Sequence, residues 1–217
     1  MAKSKEPTPK AGKGRVFRSG DLQYLPATQM EADAIEAAIT PSGQVEKATG
    51  FDASRATVMR LQSIRNQIVH FAAHSDLNEE HPELSHIVLS LFDSNGKDQD
   101  GYLRLHDIYN LKLPADLVVL SACNTGLGQV IRGEGLIGLT RGFMHAGSPR
   151  IIATLWRVED LGTLELMKHF YQHLAREGMA PPAALRQAQL DMLRTKRWKT
   201  PYDWAGFVLQ GEWRPIH

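Results

Sequence analysis

The sequence predicts an α/β protein of three layers, a mostly parallel sheet with helices on both faces. Two observations carry this. Residues 67–73, 117–120 and 150–155 are short apolar runs that suit strands buried on both sides. Segments of helical period alternate with them, and strands alternating with helices pair in parallel through crossovers. With 217 residues, 42% hydrophobic and 23% charged, the chain can bury one sizeable core. A single ordered domain over residues 21–217 is expected.

Residues 1–20 scatter Lys3, Lys5, Lys10, Lys13, Arg15 and Arg18 among Pro, Gly and Ser. Such a stretch is too polar to offset the entropy of ordering it, so it reads as a flexible basic tail. Thr28 followed by Glu31 reads as a capping box, and Ala34, Ile35, Ala38 and Ile39 continue as a helix until Pro41. A second helix fits residues 53–64, ahead of the strand at 67–73. Residues 85–92 and 102–105 read as the arms of a hairpin around a polar turn. A short helical turn at 105–111 leads to the strand at 117–120. There follow a glycine-rich loop, a helix at 135–145 and a strand at 150–155. Helices at 163–176, stopped by Gly178, and at 182–193, started by proline, precede a last strand at 204–209.

Composition removes several classes. Lys plus Arg number 25 and Asp plus Glu 24, a net charge of +1, so no global field recruits nucleic acid or an anionic membrane. No apolar run approaches the roughly 18 residues of a membrane span, and the basic N-terminus lacks the apolar block of a signal peptide, so a cytoplasmic protein is expected. One cysteine, Cys123, excludes an internal disulfide and a cysteine-based zinc cluster. The aspartates of residues 93–101 do not make a calcium loop, because Lys97 and Asp98 stand where an EF-hand needs other residues. Neither metal nor cofactor is expected.

In an open α/β sheet, ligands bind at the carboxyl ends of parallel strands. Three such ends lead to His74, to Ser121-Ala122-Cys123 and to Trp156-Arg157-Val158-Glu159-Asp160. A lone histidine or buried cysteine is usually inert. Together, an imidazole about 50 residues ahead of a thiol matches the caspase-type order of base and nucleophile. Strand alternation puts Ile68, His70, Ala72 and His74 on one face, with His70 deeper and assigned to packing.

The runs His70-Phe71-Ala72-Ala73-His74, Leu117-Val118-Val119-Leu120-Ser121-Ala122-Cys123-Asn124-Thr125-Gly126, Gly133-Glu134-Gly135-Leu136 and Leu155-Trp156-Arg157-Val158-Glu159-Asp160 occur in that order. With this set the chain resembles the CHAT domains, caspase-like cysteine peptidase domains often joined to tetratricopeptide repeats. The resemblance runs from about Leu25 to Phe207. It implies a caspase-like three-layer α/β/α sandwich, with His74 as base and Cys123 as nucleophile. It also implies an oxyanion hole from the backbone N–H groups of Ser75 and Cys123. Two positions depart from the family pattern. Ser75 replaces the usual glycine, which puts the backbone conformation there in question, and only residues 14–17 are available for the strand that normally opens such domains.

The chemistry then expected is hydrolysis of peptide bonds in proteins through an acyl-enzyme. Asp160 is the candidate for substrate binding, since several relatives in the wider clan cleave after basic residues; its alternative role is an N-cap for the following helix. The expected partners are a protein or peptide substrate and, through the resemblance, a regulatory protein such as one with tetratricopeptide repeats. Two rivals stand beside this reading. One is a non-catalytic, caspase-like interaction module. The other is a nucleotide binder, because Gly133, Gly135 and Gly138 satisfy G-x-G-x-x-G, although residues 122–132 separate them from the preceding strand.

Overall fold

A computed structural model describes residues 26–40, 43–63, 67–78, 80–121 and 134–216. The main sheet has four strands in the order β1-β5-β6-β7: β1 (Ile68–Phe71), β5 (Leu117–Leu120), β6 (Arg150–Thr154) and β7 (Phe207–Gly211). The first three pair in parallel and β7 pairs antiparallel to β6. This is the mixed α/β, mostly parallel sheet that the apolar runs predict. Residues 1–20, assigned to a basic tail, lie outside the described residues.

Strand alternation sends the buried side chains of β5 to two different cores. Val118 and Leu120 pack with Val69, Phe71 and Ile151, and with Ile108 of α3 (Leu105–Asn110) and Leu139 and Phe143 of α4 (Glu134–His145). Leu117 and Val119 pack on the other side with α1 (Pro26–Ile39), α5 (Asp160–Tyr171) and α6 (Pro181–Arg194). A strand whose four residues are all buried has no solvent face, so its sequence is continuously apolar.

Between β1 and α3 lies a second sheet of three antiparallel strands, β2 (His74–Asp76), β3 (His86–Val88) and β4 (Tyr102–Arg104). The predicted hairpin is present as β3 and β4; the third strand, β2, is new. Arg55, at the start of α2 (Arg55–Arg60), ties this sheet to the body by donating to Asp100 at 2.7 Å and Asp107 at 2.8 Å.

Several boundaries differ from those expected. The second helix is only α2 followed by a single 3-10 turn at Leu61–Ser63. The capping box of Thr28 and Glu31 does not form: α1 begins at Pro26, so Thr28 is already helical and Glu31 is buried against the sheet. Alpha helix α5 starts three residues early, at Asp160, and passes into a π-helical turn, Gln172–Arg176, before Gly178 turns the chain with φ of 64°.

Gly135 and Gly138 of the G-x-G-x-x-G run serve packing, and Gly133 lies outside the described residues. A Cβ added at Gly135 would lie 3.0 Å from Ser85 Oγ, 3.2 Å from Asn78 O and 3.2 Å from Leu77 Cβ, and one at Gly138 would lie 3.3 Å from Leu105 Cδ2. These glycines let α4 approach the loop between β2 and β3, where Ser85 Oγ already accepts the Asn78 N–H at 3.0 Å. Gly135→Ala gains about 1 kcal/mol of helix propensity, but it forces back a backbone carbonyl and a buried hydroxyl at about 1–3 kcal/mol. The expected outcome is a melting temperature lowered by a few degrees, read by calorimetry, with no stabilisation of wild type by added dinucleotide.

His173 joins the π turn to α6. Its Nε2 lies 2.6 Å from Asp191 and its Nδ1 2.9 Å from Glu177. Burial alone would lower the imidazole pKa, but the hydrogen bond to Asp191 and the pairing with Glu177 outweigh it and hold it above the ordinary value. Burial raises and the His173 bond lowers the Asp191 carboxyl, with a net downward displacement. The stabilisation from His173 is thus full below its unfolded pKa of about 6.5 and fades as pH rises through the raised folded value; that from Asp191 fades only in acid. His173→Gln should therefore destabilise by about 1 kcal/mol near pH 5.5 and much less at pH 9, measured by urea unfolding at both pH values.

Candidate functional site

The carboxyl ends of β1, β5 and β6 lie side by side, as the parallel register requires. The last rung between β1 and β5 is the Ser121 N–H donating to Phe71 O at 3.1 Å. From Phe71 the chain runs through Ala72 and Ala73 into β2, and from Ser121 it runs toward Cys123. Cys123, Asn124, Thr125 and Gly126 lie outside the described residues.

His74 is not at the end of β1. The strand stops at Phe71, and His74 is half-buried at the first position of β2, opposite Val88. The single face expected to carry Ile68, His70, Ala72 and His74 is thus broken: His70 belongs to the main sheet and His74 to the small one. Ser75 is buried within β2, in extended backbone, so this position places no demand on glycine's left-handed conformations. Asp76 shares the His74 face of β2. Burial pushes its carboxyl above the ordinary range, against the opposing charge of His86.

At the end of β6, Thr154 Oγ1 donates to Trp156 O at 2.7 Å, and Trp156 stacks on Tyr202 with ring centroids 5.9 Å apart. The indole Nε1–H donates to Tyr202 O at 2.8 Å, so Trp156 is a packing residue. Asp160 is half-buried as the first residue of α5. The residue before it, Glu159, occupies the N-cap with no side-chain cap bond, so Asp160 is not the cap. Among the described residues its carboxylate has no hydrogen-bond or ion-pair partner, and the helix N-terminus favours its negative charge.

His70 does more than pack. Its Nδ1 lies 2.9 Å from Tyr171 Oη, and its Nε2 lies 3.0 Å from both Glu31 Oε1 and Ser121 Oγ. These partners come from α5, α1 and the end of β5, and they are 1%, 4% and 5% exposed respectively. The set resembles a Ser-His-Glu triad only superficially. A triad needs the hydroxyl and the carboxylate on opposite nitrogens, whereas here both face Nε2. The helical period carried a signal for Glu31: with Ala27, Ile35 and Ala38 it forms the buried stripe of α1. Tyr171 and Ser121 had no comparable mark.

Among the described residues no group of side chains could hold a metal ion, and no helix is long and apolar enough to cross a membrane.

The chain is similar to Tetratricopeptide repeat protein 28 of Homo sapiens, 34% identical over 113 residues, which is 52% of this chain and 4% of that protein. Tetratricopeptide repeat protein 28 of Mus musculus is 34% identical over 105 residues, 48% of this chain and again 4% of its relative. The chain thus matches a very small part of these curated relatives. The CHAT domain family model matches residues 3–212, nearly the whole length, and the chain belongs to the CHAT domain family.

Proposed function

We propose that this chain is a cysteine endopeptidase with a caspase-like three-layer fold, in which Cys123 is the nucleophile and His74 the base. The observation that carries the reading is the pairing of β1 with β5, because the chain leaves one toward His74 and the other toward Cys123 from adjacent strand ends. A thiol with a reference pKa of about 8.5 is mostly protonated at neutral pH, and a nearby imidazole increases the thiolate fraction. The thiolate attacks the scissile carbonyl carbon, and the carbonyl π electrons move onto oxygen. The backbone N–H groups of Ser75 and Cys123 stabilise that oxyanion. On collapse the C–N bond breaks, the His74 imidazolium protonates the leaving amine, and a thioester remains. Water, deprotonated by His74, then attacks the thioester and releases the acid and the thiol.

Asp160 supplies specificity in this reading. A half-buried carboxylate with no partner among the described residues is suited to a substrate guanidinium or ammonium group. The repeat-protein relatives favour a second reading, an interaction module without catalysis. They also suggest that a tetratricopeptide-repeat protein regulates this domain.

A peptide-library assay separates the two. Wild type should cleave, and Cys123→Ala and His74→Ala should each lose more than about a thousandfold in kcat/KM; equal cleavage by all three proteins overturns the peptidase. Asp160→Asn should lower kcat/KM for substrates with Arg or Lys before the scissile bond by about ten- to a hundredfold and leave those with a neutral residue there unchanged. An equal loss on both substrates would remove Asp160 from specificity.

A further inference from the structure

The proposed reaction makes no use of the buried chain of Tyr171, His70 and Glu31, although this chain ends on Ser121, the last described residue before the segment that holds Cys123. Counting protons gives the chain a direction. His70 Nδ1 is the one hydrogen-bond partner of the Tyr171 hydroxyl among the described residues. Burial and the nearby Glu31 push the phenol pKa well above its ordinary value, so Tyr171 keeps its proton. A buried hydroxyl without an acceptor is costly, so Tyr171 donates to Nδ1. Nδ1 is then the acceptor nitrogen of a neutral ring, and the single ring proton sits on Nε2. That N–H faces both Glu31 Oε1 and Ser121 Oγ, and the Ser121 hydroxyl is left to donate to Phe71 O at 3.4 Å. Every group finds a partner in this one arrangement.

We propose that Tyr171, His70 and Glu31 form a positioning relay that fixes Ser121, and so the point where the chain departs toward Cys123, against the strand end that leads to His74. The inference rests on the reading of Cys123 and His74 as a dyad. Its physical basis is the side-chain bond made at the last described rung of the backbone ladder. Among the described residues the β1–β5 pairing reaches as far as the Ser121-to-Phe71 bond, and His74 belongs to the other sheet. The side-chain bond from His70 to Ser121 is the additional tie at that point. A displacement of about 1 Å at a reacting group can cost a hundredfold in rate, so a small loss of alignment there is consequential. The reverse tautomer would aim an Nε2 lone pair at the Glu31 carboxylate, which is repulsive. The Tyr171 hydroxyl thereby selects the tautomer that holds Ser121.

The test uses the full chain with Tyr171→Phe and Glu31→Gln, two variants that keep the shape of the side chain, so that a folding failure in one leaves the other. Two readouts are taken: hydrogen exchange of individual amides by NMR, and the pH profile of Cys123 alkylation by iodoacetamide, with His74→Ala as reference. The relay requires that the Ser121 amide exchange about tenfold faster in each variant while that of Ile152, in β6, stays at the wild-type rate. It also requires the alkylation profile to move toward that of His74→Ala. Unchanged Ser121 exchange overturns the proposal, as does equal acceleration at Ile152, which marks general destabilisation. A wild-type profile in both variants while His74→Ala differs from wild type overturns it as well. If His74→Ala itself alkylates like wild type, the dyad is what fails, and a relay serving it falls whatever Ser121 does.

Discussion

The parallel pairing of β1 with β5 is the constraint on which the remaining structure depends. Two four-residue strands lie far apart in sequence; β5 is buried on both faces and alternates between the two cores, while β1 buries Val69 and Phe71 in one core and half-buries Ile68 and His70 on the other side. Strands so enclosed cannot slip by one residue without sending each side chain to the wrong core. Their carboxyl ends are therefore fixed relative to each other, and the chain segments leaving those ends start from known positions. A rigid scaffold carrying its chemistry on the segments that leave it is the arrangement expected of a site in an α/β sheet.

The small sheet extends this scaffold. It holds His74, Ser75 and Asp76 on a strand of its own, and strands position side chains with less freedom than loops do. Its attachment depends on close approach: the absence of a Cβ at Gly135 and Gly138 lets α4 meet the β2–β3 loop and Leu105 of α3. On the other flank Arg55 holds Asp100 and Asp107 together, which ties the β4–α3 corner to α2. The insertion between β1 and β5 is thus part of the platform for the candidate base.

Periodicity made the central strands legible, because Leu-Val-Val-Leu and Arg-Ile-Ile-Ala-Thr occupy positions where burial on both faces leaves few other choices. The same logic failed for β2. His-Ser-Asp has no apolar pattern, and its strand character comes from pairing with β3, a partner that local sequence does not name. The capping box failed for a different reason. Thr28 and Glu31 fit the motif, but Pro26 starts the helix two residues ahead, and Glu31 falls on the buried stripe beside Ile35. Tertiary contact with His70 outweighed a local capping bond. Of the candidate site, His74 and Cys123 are proposed from motif order, and Asp160 from its place after β6. The Tyr171–His70–Glu31–Ser121 connection joins α5, β1, α1 and the end of β5, and no spacing rule links residues on four separate segments.

A buried polar cluster of this kind has to be explained against an apolar alternative. Replacing a fully satisfied buried network by well-packed hydrophobic residues of similar volume is often neutral or stabilising, so the network is weak ground for stability as its purpose. What it supplies that an apolar cluster could not is direction. Dispersion contacts tolerate rotation and small shifts, whereas one N–H shared by a carboxylate and a hydroxyl fixes a ring orientation and, through it, the end of a strand. The cluster lies at the carboxyl end of the sheet, with α1 contributing Glu31 from its buried stripe and α5 contributing Tyr171. If stability alone were at stake, a leucine on the α1 stripe, a phenylalanine on α5 and an apolar residue in place of His70 would fill the same space without three polar groups to satisfy. Polar groups at this place are therefore best understood through the segment they adjoin, the one that carries the only thiol in the chain.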